Sequence, residues 1–287
     1  MTVTSLRSIL DDATAGGYGV LALNVFDDLT LRAAVRVAED LRSPLIIQTS
    51  VKTVKSIGAP QLSAMFSRVA EPAGVPVTLH LDHCPHREVI TECIENGWNS
   101  LLFDASHLPF EQARAQTIEV VAEARAAGVQ VEGEIEGIQG VEDGIGSDDA
   151  PLVYDDDRVL DFIEATGIDC FAPAIGNAHG QYKSVPKLDV ERVQRLYDKT
   201  RVPMALHGGS GLTPAQFTDL ISAGCAKVNI STALKQAFIG GYRGYLEDNP
   251  KAKEPLAVID HVHGRVADCV RSHIELFGSA GGVDCPA

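Results

Sequence analysis

Basic residues are in short supply in this 287-residue chain: 24 Lys and Arg stand against 39 Asp and Glu, a formal net charge of −15. That balance argues against nucleic acid or an anionic membrane as a partner. No apolar run approaches the eighteen or more residues of a membrane span. The N-terminal segment carries acidic residues and neither a basic n-region nor a long apolar stretch, so it reads as a short amphipathic helix and not a secretion signal. The six cysteines are scattered without a CxxC pair, which reads as reduced thiols in a cytosolic protein and not as a disulfide framework. No GxGxxG follows the first apolar run, and no Pro- or Ser-rich linker divides the chain.

What the chain does have is alternation. Apolar, β-rich runs at residues 20–24, 44–49, 77–81, 100–104, 129–135, 168–175, 202–207 and 226–231 are each followed by a stretch of helical period. Continuous apolar runs are what strands buried on both faces require, and regular alternation with helices predicts a parallel sheet. Eight such units predict a (β/α)8 barrel, the TIM-barrel form of the α/β class, as one domain over residues 1–287. Residues 250–287 read as a C-terminal helical extension, with Val258, Val262, Val266, Val270, Ile274 and Phe277 at helical spacing. That stripe either covers the barrel or meets a partner subunit.

In such a barrel the C-terminal strand ends share one rim, where active sites are built. The segment HLDH (80–83) ends the third strand. His179 follows the sixth strand in AIGNAHG, and His207 follows the seventh in LHGGSG. Three imidazoles at one rim are what a Lewis-acid divalent site needs. Asp82 is expected to diverge from His83 by strand alternation, and serves either as a proton acceptor for a substrate hydroxyl or as a cap or support for a histidine. His80, two residues earlier, is read as supporting the site. Glu134 and Asp104 end strands five and four, each as an alternate metal ligand or a hydrogen-bond acceptor.

Glycine-rich backbone after strand seven and a helix N-terminus after strand eight form a phosphate site in many barrels. Gly208, Gly209 and Ser210 would supply the donors, with Ser231 and Thr232 capping the helix. Residues 137–151 are glycine-rich and acidic without periodicity, a composition that suits a functional loop or lid able to carry Glu142 into the site as an acid–base group.

Together LHLDHCPH, VEGEIEGIQGVEDG, AIGNAHGQYKSVPKL, LHGGSGL and KVNISTAL resemble the class II, metal-dependent ketose-bisphosphate aldolases over nearly the whole chain. The resemblance implies a lyase that reversibly cleaves a phosphorylated ketose, of the fructose or tagatose 1,6-bisphosphate type, to dihydroxyacetone phosphate and an aldehyde through a metal-stabilised enediolate. It implies Zn2+ on His83, His179 and His207, with Glu134 near the metal's alternative position. It implies Asp82 on the C4 hydroxyl proton and Glu142 on the enediolate carbon. Gly180, Gly208 and Ser210 match positions around the donor phosphate and an associated Na+ or K+. Asn229, Ser231 and Thr232 match substrate and phosphate contacts, and Asn24 and Ser50 line the substrate channel. A homodimer or homotetramer is implied as well.

Four positions depart from the pattern: Lys52, Cys84, His86 and Glu136. They lie near the aldehyde side or the lid hinge, so the acceptor is the open question. An aldolase for 6-phospho-5-dehydro-2-deoxygluconate is the alternative within the class. A metal-dependent isomerase or epimerase and a non-catalytic paralogue are the alternatives outside it. No lysine is expected at the end of a central strand, since Lys183 falls in a loop and Lys227 begins strand eight, which favours metal over Schiff-base chemistry.

Overall fold

The computed structural model describes residues 3–142, 145–147, 152–178, 180 and 186–283; the side chains of 141, 142 and 145–147 lie outside the description. Eight parallel strands close a barrel in sequence order: β1 (Val20–Asn24), β2 (Leu45–Ser50), β3 (Val77–Cys84), β4 (Ser100–Asp104), β5 (Gln130–Glu134), β8 (Cys170–Phe171), β9 (Met204–Leu206) and β10 (Cys225–Ile230), which pairs back onto β1. The expected (β/α)8 architecture is therefore present.

The interior is layered, because every second residue of each strand points inward. At the bottom, Val20, Ala22, Ile46, Cys170 and Ala205 form an apolar plug with Leu6, Ile9, Leu10 and Ala13 of helix α1 (Leu6–Gly16). Two residues further up the strands the interior turns polar. Gln48, His80, Glu132 and Lys227 are all 0% exposed. Two residues further again come the rim side chains Asn24, Ser50, Asp82, Glu134 and Asn229. Apolar residues hold the barrel from below, so the polar layers sit where the fold places its chemistry.

The sixth strand is shorter than its apolar run suggests, two residues in place of eight. Pro173 has no N–H for a ladder, and Gly176 turns the chain at φ 87°. The chain released there, 172–178, crosses the rim. Residues 137–151, expected to lack secondary structure, contain two short antiparallel paired strands, β6 (Gly140–Glu142) and β7 (Ile145–Ser147). Gln139 bridges to Ala178, so these two crossings of the rim run side by side.

The apolar stripe of the last helix, α11 (Pro255–Leu276), is buried within the chain itself. Val262, Val266, Val270 and Ile274 are fully covered, and the helix packs on α2 (Asp28–Leu41) and α10 (Thr232–Asp248). Five cysteines, Cys84, Cys93, Cys170, Cys225 and Cys269, are free thiols; Cys285 lies outside the described residues. Among the described residues no helix is long and apolar enough to cross a membrane.

Candidate active site

Strand alternation should send Asp82 and His83 to opposite faces, yet both reach the same centre. The β3–β4 register slips between Leu81 and Cys84, and His83 takes φ 36°, in the left-handed region. A non-glycine residue there costs about 1–3 kcal/mol and marks a position that the surroundings must enforce. The bulge turns two successive side chains inward, with His83 Nε2 4.0 Å from Asp82 Oδ1.

His83 and His207 meet edge to face, ring centroids 4.6 Å apart. Glu134 Oε2 lies 3.0 Å from His207 Nδ1 and 3.6 Å from His83 Nδ1, and Asp104 Oδ2 lies 3.4 Å from His83 Nδ1. Two overlapping donor sets result, Asp82–His83–His207 and His83–Asp104–Glu134, each with ligand atoms within 4.8 Å of one another and every residue buried. Imidazole nitrogens with carboxylate oxygens form a set that suits a divalent transition ion. The charge balance points the same way. Asp82, Asp104, Glu132 and Glu134 are four buried carboxylates in this cluster, and Lys227 is the one buried lysine among its described residues. A divalent cation held there would supply the missing positive charge. His179 lies outside the described residues, as does the side chain of Glu142.

Burial opposes charge on His83, but Asp82, Glu134 and Asp104 outweigh it and raise its pKa well above the usual imidazole range. Glu134 is also raised well above the carboxylate range, first by burial and then by Asp104. Asp104 is lowered to about 2: burial works against this, and hydrogen bonding and charge from His83 prevail. A metal entering must displace the protons that His83 and Glu134 retain. Metal affinity is therefore expected to rise with pH across the neutral range, by about tenfold per unit for each proton displaced. Calorimetric titration in buffers of different ionisation enthalpy should show at least one proton released per ion at pH 7. Proton-neutral binding there would contradict this electrostatic account.

Asp82 is held by two amides. Asn24 Nδ2 donates to Oδ2 at 2.7 Å and Asn229 Nδ2 to Oδ1 at 3.2 Å. Gln48 Nε2 donates to Asn24 Oδ1 at 2.9 Å, which fixes the direction of that amide. Asn24 and Asn229, read from the sequence as substrate contacts, thus have Asp82 as their partner within the chain. Ser50 is the N-cap of α3 (Val51–Ile57), accepting the N–H of Thr53 at 3.2 Å.

The anion cradle departs from expectation in one detail. Ser231 occupies the N-cap position of α10 but makes no side-chain cap, because its backbone (φ −129°, ψ −59°) is not the extended form that capping uses. Its buried Oγ has no hydrogen-bond partner among the described residues. The N–H of Ala233 reaches Ser210 Oγ instead, at 3.4 Å, joining the glycine-rich turn to the helix N-terminus. Gly208 sits at φ 67°, where a Cβ would collide with the Ala178 carbonyl, so only glycine fits. Gly209 is buried against the Asn229 carbonyl, and Gly180 sits at φ 84°.

The four departures separate physically. Cys84 lies in the core outside the barrel, its thiol pushed up to about 12 by burial, and does not face the site. His86 is exposed at the start of α5 (Arg87–Glu95). Lys52 borders a cavity of about 410 Å³ that opens beside Asn24. Glu136 is fully buried in an ion pair with Arg192 at 2.9 Å.

Two site residues escaped the sequence reading. Glu132 Oε1 is 2.8 Å from His207 Nε2, and Lys227 Nζ is 2.8 Å from Glu132 Oε2. Lys227 does not begin the eighth strand; it is the third residue of β10 and lies inside the barrel. The signal was there: each is a charged residue two places before a rim residue, in VEGE and KVN, within an otherwise apolar strand. His80, expected to support the site, lies in the layer beneath the rim with Nδ1 2.9 Å from Ser100 Oγ and Nε2 3.5 Å from Glu132 Oε2.

A parallel eight-stranded barrel with a histidine–carboxylate cluster at its C-terminal rim, able to hold a divalent ion, has the architecture of a barrel enzyme. Residues 4–282 match the family described as Fructose-bisphosphate aldolase class-II, and the chain belongs to that family. Among solved structures it is similar to the YdjI aldolase of Escherichia coli K12, at 33% identity and TM-score 0.86, covering 98% of this chain and 100% of that one. It is also similar to a putative fructose-1,6-biphosphate aldolase from Coccidioides immitis, at 28% identity and TM-score 0.88, covering 98% of each. Fructose-bisphosphate aldolase of Campylobacter jejuni, at 24% identity and TM-score 0.83 over 98% of this chain and 97% of that, shares the fold. The protein is a class II aldolase, a lyase of the TIM-barrel class.

Proposed function

We propose that the protein is a zinc-dependent aldolase that reversibly cleaves a ketose phosphate, of the fructose or tagatose 1,6-bisphosphate type, to dihydroxyacetone phosphate and an aldehyde. The observation that carries this reading is Asp82: a buried carboxylate clamped by Asn24 and Asn229 and aimed at the two histidines. His83 and His207, with His179, would hold the ion, and Glu134 would take it in a second position. A divalent ion there supplies Lewis acidity toward the donor oxygens. Asp82, oriented by its two amide donors, takes the C4 hydroxyl proton as the C3–C4 bond breaks, and the electron pair stays with the donor half. Glu142 exchanges the proton at C3.

The donor phosphate lies on the N–H groups of Gly209 and Ser210 and the free end of α10, with Gly180, Ser231 and Thr232 around it and a monovalent cation, Na+ or K+, alongside. An acidic protein can bind an anion this way, through amides. The acceptor end points to the cavity beside Asn24, bordered by Phe26, Lys52, Thr53, Lys235 and Phe238. Two lysines there suit an acceptor with an anionic terminus. A phosphate gives the bisphosphate reading; a carboxylate gives the second reading, 6-phospho-5-dehydro-2-deoxygluconate, whose cleavage leaves a carboxylated aldehyde. On this proposal the chain is one domain acting in the cytoplasm as a homodimer or homotetramer.

The test is hydrogen exchange of dihydroxyacetone phosphate in heavy water, followed by NMR with and without a chelator. Metal-dependent exchange at C3 is expected. Absence of exchange with zinc bound would refute the donor assignment. A cleavage panel of the three ketose phosphates then decides the acceptor.

A further inference from the structure

Lys227 is 0% exposed, deep in a barrel, and its ammonium touches two groups that lead to opposite sides of the site. Its Nζ lies 2.8 Å from Glu132 Oε2 and donates at 2.8 Å to Asn229 Oδ1. Each contact settles a question of hydrogen-bond polarity one step further on. An ammonium can only donate, so the oxygen of Asn229 must face Lys227 and its NH2 must face Asp82 Oδ1, as observed at 3.2 Å. Were the amide reversed, an oxygen would confront the Asp82 carboxylate.

On the other side, the Glu132 carboxylate paired with Lys227 is an acceptor. Its Oε1 is 2.8 Å from His207 Nε2, so that nitrogen carries the hydrogen and Nδ1 presents its lone pair toward Glu134 and His83. His80 Nε2 stands 3.5 Å from the same Glu132 Oε2, closing the layer beneath the rim.

We propose that Lys227 is the positioning residue that couples the two arms of the site, setting the His207 tautomer through Glu132 and the donor face of Asn229 toward Asp82. The proposal rests on the reading of His207 as metal ligand and Asp82 as proton acceptor. Burying this cation is costly unless it is paired, and a purely apolar layer would have closed the barrel as well. What an apolar layer cannot do is assign the hydrogen-bond direction on both sides.

The test compares two variants, Glu132→Gln and the uncharged pair Glu132→Gln with Lys227→Met, which leaves no unpaired buried charge. Folding is checked by circular dichroism and thermal melting. Zinc affinity is measured by chelator competition, and the cobalt-substituted proteins are compared by their visible spectra. Both variants should bind zinc about 10–100-fold more weakly with a shifted cobalt spectrum, since the support of His207 is lost in each. At saturating zinc the paired variant alone should lose at least about tenfold more in kcat for cleavage, with KM little changed, because only there does Asn229 lose its anchor.

Native zinc affinity and an unchanged cobalt spectrum in both variants would overturn the proposal, whatever the substrate proves to be. Equal kcat in the two variants would overturn the Asn229 arm and with it the coupling. Should the paired variant not fold, Lys227→Arg replaces it. Arg keeps the charge and donors, so zinc affinity within about threefold of native would support the proposal and a loss as large as that of Glu132→Gln would refute it. The metal readouts need no ketose, so they stay informative if the substrate assignment fails.

Discussion

Asp82→Asn is expected to lower carbon–carbon cleavage by about 10³-fold while dihydroxyacetone phosphate still exchanges its C3 hydrogen at a rate within about tenfold of native. The expectation follows from what touches the carboxylate. Two amide NH2 groups, Asn24 at 2.7 Å and Asn229 at 3.2 Å, face its two oxygens, an arrangement that fixes the direction of the carboxylate. Asparagine fills the same volume but accepts no proton, and its NH2 would confront one of those donors. On the proposed mechanism the donor half of the reaction depends on the histidines and Glu142, so exchange survives. Asp82 also stands among one of the two possible ligand sets with His83 and His207. Comparing the two rates at saturating zinc separates the roles. Equal loss of cleavage and exchange, restored by excess metal, would make Asp82 a ligand and remove it from the proton-transfer step.

Arg192→Met is expected to destabilise the fold by about 3–5 kcal/mol, because it strands a buried carboxylate. Glu136 is fully buried, and its carboxylate accepts from Arg192 Nη2 at 2.9 Å, from the N–H of Tyr154 at 2.9 Å and from the N–H of Ala174 at 2.9 Å. Arg192, itself buried on α8 (Val190–Thr200), also reaches Asp156 at 3.0 Å and the carbonyl of Tyr154 at 2.9 Å. The pair therefore ties together the exit of β5, the return of the loop that follows it and the chain leaving β8. Melting should fall by on the order of 10 °C. The double variant Arg192→Met with Glu136→Gln should recover most of that, since no charge is left unpaired. A single variant melting within about 2 °C of native would show that water or a neighbouring group compensates Glu136, against the burial argument.

This clamp also shows what reading by resemblance cannot reach. Glu136 replaces a small residue in an otherwise familiar stretch, and from the sequence it looks like a change at the lid hinge or the aldehyde side. Only the fold brings Arg192, 56 residues later, onto it. Cys84 is a parallel case: beside the DH pair in sequence, it faces the outer core because the strand slips register between Leu81 and Cys84.

The sequence by itself determined the barrel, since eight apolar runs alternating with helical periods leave few other ways to bury both faces of each strand. It placed His83, His207 and Asp82 at the rim, since strand ends in this fold share one side. It also marked Gly208, whose backbone lies where no side chain fits. Tertiary structure decided the rest. Which way Asp82 and His83 face was set by a bulge and a positive φ, neither of which follows from alternation. That Glu132, Lys227, Asn229 and Asp82 form one chain of hydrogen bonds was set by register among β3, β5 and β10. Periodicity tells which residues share a face of a strand. Which faces meet, and at what height, is fixed only when the sheet closes.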